Sequence, residues 1–258
     1  MGYWFPITIL YIMKSSFSLV ALGGILLSLT APLASSAAEF KSVSDVCDVK
    51  SVELATKLEQ ARVDRDAKLF KVREEVNTKI LRLRSDADEK RFKYRNDENA
   101  RLEKQRIERD GKGYKTDALK SAISVYRSTI DAALKTRREG IDAAAKTYRV
   151  AQDAAIKVRR EAVDTAAKTR RQTLDAALAE WKLRCTGDAT ARKAANTAFK
   201  QAQDTARKAH ATAIEAAFSK FKTALEQAKS VRQATEKSLH EAFKLAAEKA
   251  KVALQAAR

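Results

Sequence analysis

Apolar residues recur every eleven positions over most of this chain, and polar residues recur just as regularly between them. Residues 126–180 divide into the phrases YRSTIDAALKT, RREGIDAAAKT, YRVAQDAAIKV, RREAVDTAAKT and RRQTLDAALAE. Eleven residues fill three turns of about 3.67 residues, so each column stays on one face of a helix. One column reads Ile130, Ile141, Gln152, Val163, Leu174. Beside it runs Ala133, Ala144, Ala155, Ala166, Ala177, and then Leu134, Ala145, Ile156, Ala167, Leu178. Tyr126, Tyr148 and Trp181 extend the same arc, which predicts a helix with a partner-facing seam.

The polar columns predict the rest of that helix surface. Arg138 stands four residues before Asp142, and Asp142 four before Lys146; Arg160, Asp164 and Lys168 repeat the spacing. Residues four apart are neighbours on a helix, so the spacing predicts a running Arg–Asp–Lys ladder beside the seam. Each exposed pair adds about 0.3 kcal/mol, which supports a helix short of large hydrophobes.

A second stripe of period eleven begins at Ala191, flanked by Phe199, Phe221 and Phe243. Between the stripes lies RCTGDAT, where Gly187 suits a helix end and Asp188 a helix start. Two helices of near-equal length around a tight turn predict an antiparallel hairpin, with Leu174 level with Phe199 and Ile130 level with Phe243. The earlier stretch shows a 3-4-4 spacing at Leu69, Val72, Val76, Ile80, Leu83, Ala87 and Tyr94, then reads as fading into charge. Continued at ~98° per residue, that stripe lies opposite the Ile130 stripe. A chain reversal near Gly111-Lys112-Gly113 reconciles the two. The predicted fold is therefore all-α: an elongated antiparallel bundle or coiled coil of hendecad type with three long helices. The expected divisions are a signal peptide (1–37), a short segment (38–51), and helices over 52–110, 114–185 and 188–258.

Composition changes this picture little. Both prolines precede residue 33, and beyond Ala38 the glycines are Gly111, Gly113, Gly140 and Gly187, so few helix breakers interrupt the pattern. Aromatics make up 7% of the chain and Ala dominates its apolar share, which suits narrow seams better than a globular core. Met13-Lys14-Ser15-Ser16, an apolar run from Phe17 to Leu33 and then ASSAAEF have the order of a secretory signal. The pattern places the start at Met13 and cleavage after Ala37 or Ala38; an uncleaved membrane anchor is the other outcome. Export to the periplasm, cell surface or medium permits a disulfide between Cys47 and Cys185. The spacing leaves open whether they bridge within one chain, between chains or not at all.

All but one of the +18 net charges lie beyond residue 37. Such a balance favours weak binding to anionic polymers or membrane surfaces without choosing among them. The histidines are His210 and His240, and HEAFK at 240–244 lacks the second histidine of a zincin helix. Two distant cysteines make no zinc cluster. The sequence therefore predicts no metal, no cofactor, no small-molecule substrate and no enzyme activity. The expected partner is a protein, or a second copy, met through helical seams. DAAAKT and its variants over residues 115–180 resemble the eleven-residue repeats of group 3 late-embryogenesis-abundant proteins. That resemblance implies a chain unstructured until drying or membrane contact; the regular Phe and Ile columns depart from it. The functional expectation is an exported structural protein, a long basic rod or spacer. The alternatives are a cationic module for envelope polymers, lipid, nucleic acid or client proteins, in the manner of a periplasmic holdase, and a desiccation protectant. The stretch 84–114, where the repeat reads as fading, is the expected place for a functional surface.

Overall fold

The computed structural model describes residues 43–114 and 116–257. The expected signal segment lies outside the described residues. Three helices follow one another: α1, Val43–Asp110; α2, Asp117–Cys185; and α3, Ala189–Ala256. The fold is all-α, with no strand among the described residues. The segment 38–51, expected to stand apart, is helical from Val43 onward. With no Pro or Gly between 43 and 110, nothing in the backbone chemistry stops the helix from extending back.

Each junction has a local cause. Helix α1 ends with Arg109 in its last turn, a cation where the helix dipole favours one. The Gly111 N–H donates to the Ile107 carbonyl at 2.9 Å, and Gly113 takes φ +70°, a conformation that favours glycine. Thr116 then caps α2, its hydroxyl accepting from the Leu119 N–H at 3.1 Å. At the second turn the Asp188 carboxylate accepts from the Ala191 N–H at 2.7 Å. Gly187 is not in the left-handed region. Its value there is space, since a Cβ would lie 2.8 Å from the Ala191 Cβ.

The described chain divides into two units, residues up to Arg95 and Asn96–Arg258. In the first, the shielded positions of α1 step through Leu54, Leu58, Arg62, Arg65, Leu69 and Arg73 to the buried Ile80. The 3-4-4 spacing is the one expected, but its members differ. Leu83 and Tyr94 are 38% and 44% exposed, while Arg73, Arg84 and Arg95 stand on the shielded face. An arginine can occupy such a position because its methylene stem covers apolar surface while its guanidinium reaches a rim.

In the second unit α2 and α3 pack against one another along a seam, at about 100 Å of helix each. The end of α1 runs antiparallel to the start of α2. Asp110 meets Arg127, Arg106 meets Asp131, and Glu98 meets Arg138. The shielded face of α1 therefore does not fade. It continues through Arg95, Glu98, Leu102 and Arg106 in polar form, which a search for apolar residues does not register.

Candidate functional site

The feature with the most chemistry is the α2–α3 seam. Val163 and Leu174 on α2 and Phe199 and Phe221 on α3 are buried; Ile130, Ile141 and Phe243 are half-buried. Ala144, Ala155 and Ala166 are buried between them, so the two backbones approach closely. At Gly140 the approach is closest: a Cβ built there would lie 2.7 Å from both Leu239 methyl carbons. The glycine is a socket for that leucine.

One column of α2 and one of α3 make the seam's polar code. The α2 column reads Arg137, Tyr148, Arg159; the α3 column, in the opposite direction, reads Phe243, Arg232, Phe221. Each steps by eleven and alternates arginine with an aromatic ring, in opposite phase. The Arg137 guanidinium lies 5.2 Å from the Phe243 ring centre, Arg159 4.5 Å from Phe221, and Arg232 5.6 Å from Tyr148. A guanidinium over a ring face is attracted by the ring quadrupole. Arg159 is itself buried, so its charge acts where solvent screens it little. Towards the turn the column ends at Trp181, whose indole N–H donates to the Asn196 side-chain oxygen at 2.8 Å.

This arrangement also sets the register. Counting outward from the turn puts Ile130 level with Phe243, yet the ring of Phe243 lies under Arg137. Side chains on a helix lean toward its N-terminus, so in an antiparallel pair both partners lean away from level. The alternation then excludes the easiest error. A slip of eleven residues preserves every Ala contact but sets Arg137 against Arg232. Arg137 and Arg159 interrupt the aromatic column in the sequence. Their regular step of eleven, in phase with Tyr126, Tyr148 and Trp181, was the signal that could have revealed their role.

The expected ladder residues lie beside the seam. Arg138 and Arg160 are half-buried; Asp142, Lys146, Asp164 and Lys168 are exposed. Arg138 also reaches the end of α1, donating to Glu98 at 2.5 Å and to the Asn99 side-chain oxygen at 2.9 Å. Arg127 grips Asp110 through two bonds of 2.7 and 3.0 Å, and the Tyr114 hydroxyl donates to the same carboxylate. Those bonds, Arg127 first, hold the Asp110 carboxyl at about 2, below the usual carboxylate range. The Tyr114 hydroxyl is held above its ordinary value by the same carboxylate. The stretch expected to hold a functional surface thus spends Glu98, Asn99, Arg106 and Asp110 on joining α1 to α2.

Both cysteines of the chain, Cys47 and Cys185, are disulfide-bonded. Among the described residues no group of acidic, histidine or cysteine side chains is placed to hold a metal. Nor is any described helix long and apolar enough to cross a membrane. No protein-family model, curated protein or solved structure matches the chain.

Proposed function

We propose that the protein is an exported structural or interaction protein, a basic helical rod or spacer at the cell envelope or surface. The observation that carries this reading is the Arg–aromatic alternation across α2 and α3, with rungs at Arg137–Phe243, Arg232–Tyr148 and Arg159–Phe221. It commits the chain's scarce aromatic residues to holding two long helices in one register. A rod needs that; a catalytic site needs its polar side chains converging on a substrate. The test is circular dichroism with small-angle scattering on the oxidised chain in dilute buffer. The expected result is high helicity and a maximum dimension of about 100 Å or more. A largely unfolded chain would remove the reading in favour of a protectant that orders on drying. Fractionation of the native host, with the chain recovered in the cytosol, would remove export.

A second reading is supported by the lysine column Lys135, Lys146, Lys157 and Lys168. All four are exposed, and the first and third are 76% and 77% so. Their charges face outward, available to an anionic polymer or lipid surface. Co-sedimentation with DNA, anionic vesicles and cell wall across a salt series tests it. Binding that falls steeply with salt is expected; no binding at low salt ends this reading and leaves the spacer intact.

A further inference from the structure

Helix α1 carries a second apolar face, and it is exposed. Phe70, Leu81 and Phe92 stand eleven residues apart and are 69%, 65% and 67% exposed. Val52 and Val63, also eleven apart, are 63% and 54% exposed. At about 98° per residue these two columns lie about 33° apart and at least ~100° from the shielded column of Leu58, Leu69 and Ile80. Scattered surface hydrophobes need no explanation, but a regular stripe with two phenylalanines does. Its flanks differ in charge. Lys71, Arg82 and Lys93 run along one side, all exposed; Asp66 and Asp88 run along the other, also exposed. Asp88 accepts from Arg91 on its own helix as well.

We propose that this stripe pairs with the same stripe of a second copy of the chain, parallel and in register. Three observations select that occupant. The first is period: a partner that stays in contact from Val52 to Phe92 must itself repeat every eleven residues, as this chain does. The second is charge. A parallel two-fold sets the basic flank of each copy against the acidic flank of the other, whereas an antiparallel pair opposes like flanks. The third is size. The stripe is about 60 Å long and roughly 10 Å wide, or about 600 Å² per copy, against ~800 Å² per partner in a standard interface. Pairing is therefore reversible and concentration-dependent. It rests on the scaffold reading, to which it adds a means of assembly.

The test is sedimentation equilibrium of the full oxidised chain from about 1 to 200 µM, the range in which such an interface titrates. A monomer–dimer equilibrium is expected. The double variant Phe70→Glu with Phe92→Glu should weaken it at least tenfold while circular dichroism stays unchanged, because both side chains are on the solvent side. Phe70→Cys should cross-link to a dimer on mild oxidation, since only a parallel register brings position 70 against itself. A monomer throughout the range, or a dimer indifferent to the double variant, overturns the pairing. A dimer whose Phe70→Cys form does not cross-link overturns the parallel register. Stripe-dependent binding to anionic vesicles by a chain that stays monomeric assigns the face to a membrane and overturns the pairing as well. Scattering on the same samples separates the two readings: a monomer still about 100 Å long leaves the scaffold standing.

Discussion

Asp110 shows how much one side chain does at a helix end. Its carboxyl, held at about 2 by Arg127 and then Tyr114, starts from an ordinary value of 3.8. A depressed carboxylate contributes stability above its unfolded value and loses it as pH falls through the folded one. The Asp110 contribution is therefore complete above about pH 4 and disappears as the pH falls toward 2. A carboxyl-detected NMR titration should place its midpoint near 2, and Arg127→Gln should return it toward the ordinary range. A midpoint near 4 in the native chain would show that the bond does not persist in solution. Gly140 makes the complementary case, where an absent side chain matters. Ala in place of a mid-helix Gly is worth about 1 kcal/mol in propensity, but a Cβ here meets both Leu239 methyl carbons at 2.7 Å. Urea unfolding should show Gly140→Ala destabilising the native chain and stabilising the Leu239→Ala background by about 1 kcal/mol. Neither role was legible in the sequence. Gly140 reads as a flaw in an alanine column until the partner leucine is in view.

The helices themselves were legible, because their period, caps and freedom from breakers are local properties. Thr116 and Asp188 stand where an N-cap belongs and do cap; replacing either with Ala should cost about 1 kcal/mol. Thermal melts followed at 222 nm would measure it. The pairing of α2 with α3 was legible only in part. Ala columns specify that the helices meet but hardly which rung meets which, since a shift of eleven returns the same contacts. Register depends on the Arg–aromatic alternation, whose period is twenty-two. Phe221→Arg should set two guanidiniums together at Arg159 and destabilise the hairpin. Adding Arg159→Phe should recover much of the loss, with a coupling of about 1 kcal/mol or more in a double-mutant cycle. Additive effects would mean that the rungs carry no register information. On α1 the apolar search lost the shielded face after Ala87 because Arg91, Arg95 and Arg106 occupy it. Arginine reads as surface in a sequence, although its stem packs like an aliphatic chain.

At the level of the whole chain, the disulfide and the charge balance set the conditions under which it folds. Cys47 and Cys185 are the only cysteines and both are bonded. Intact-mass measurement under non-reducing conditions should find a monomer two hydrogens lighter than the reduced chain. Reduction should lower the melting temperature, because closing a loop of more than a hundred residues restricts the unfolded chain, an entropic effect of about 5 kcal/mol. An unchanged melting temperature would show that the bridge adds nothing the helices do not already supply. The linear order of residues sufficed for the helical class, the eleven-residue period, the two turns and the candidate bridge. Each depends on neighbours in sequence or on chemistry countable along it. The packed structure alone decided that Arg137 and Arg159 belong to the seam, that Gly140 is a socket, and that Glu98 and Asp110 hold a junction. It also decided which of α1's two apolar faces is left in water. Those are properties of pairs. Two faces with the same period look alike in one dimension, and a side chain's role depends on what stands opposite it.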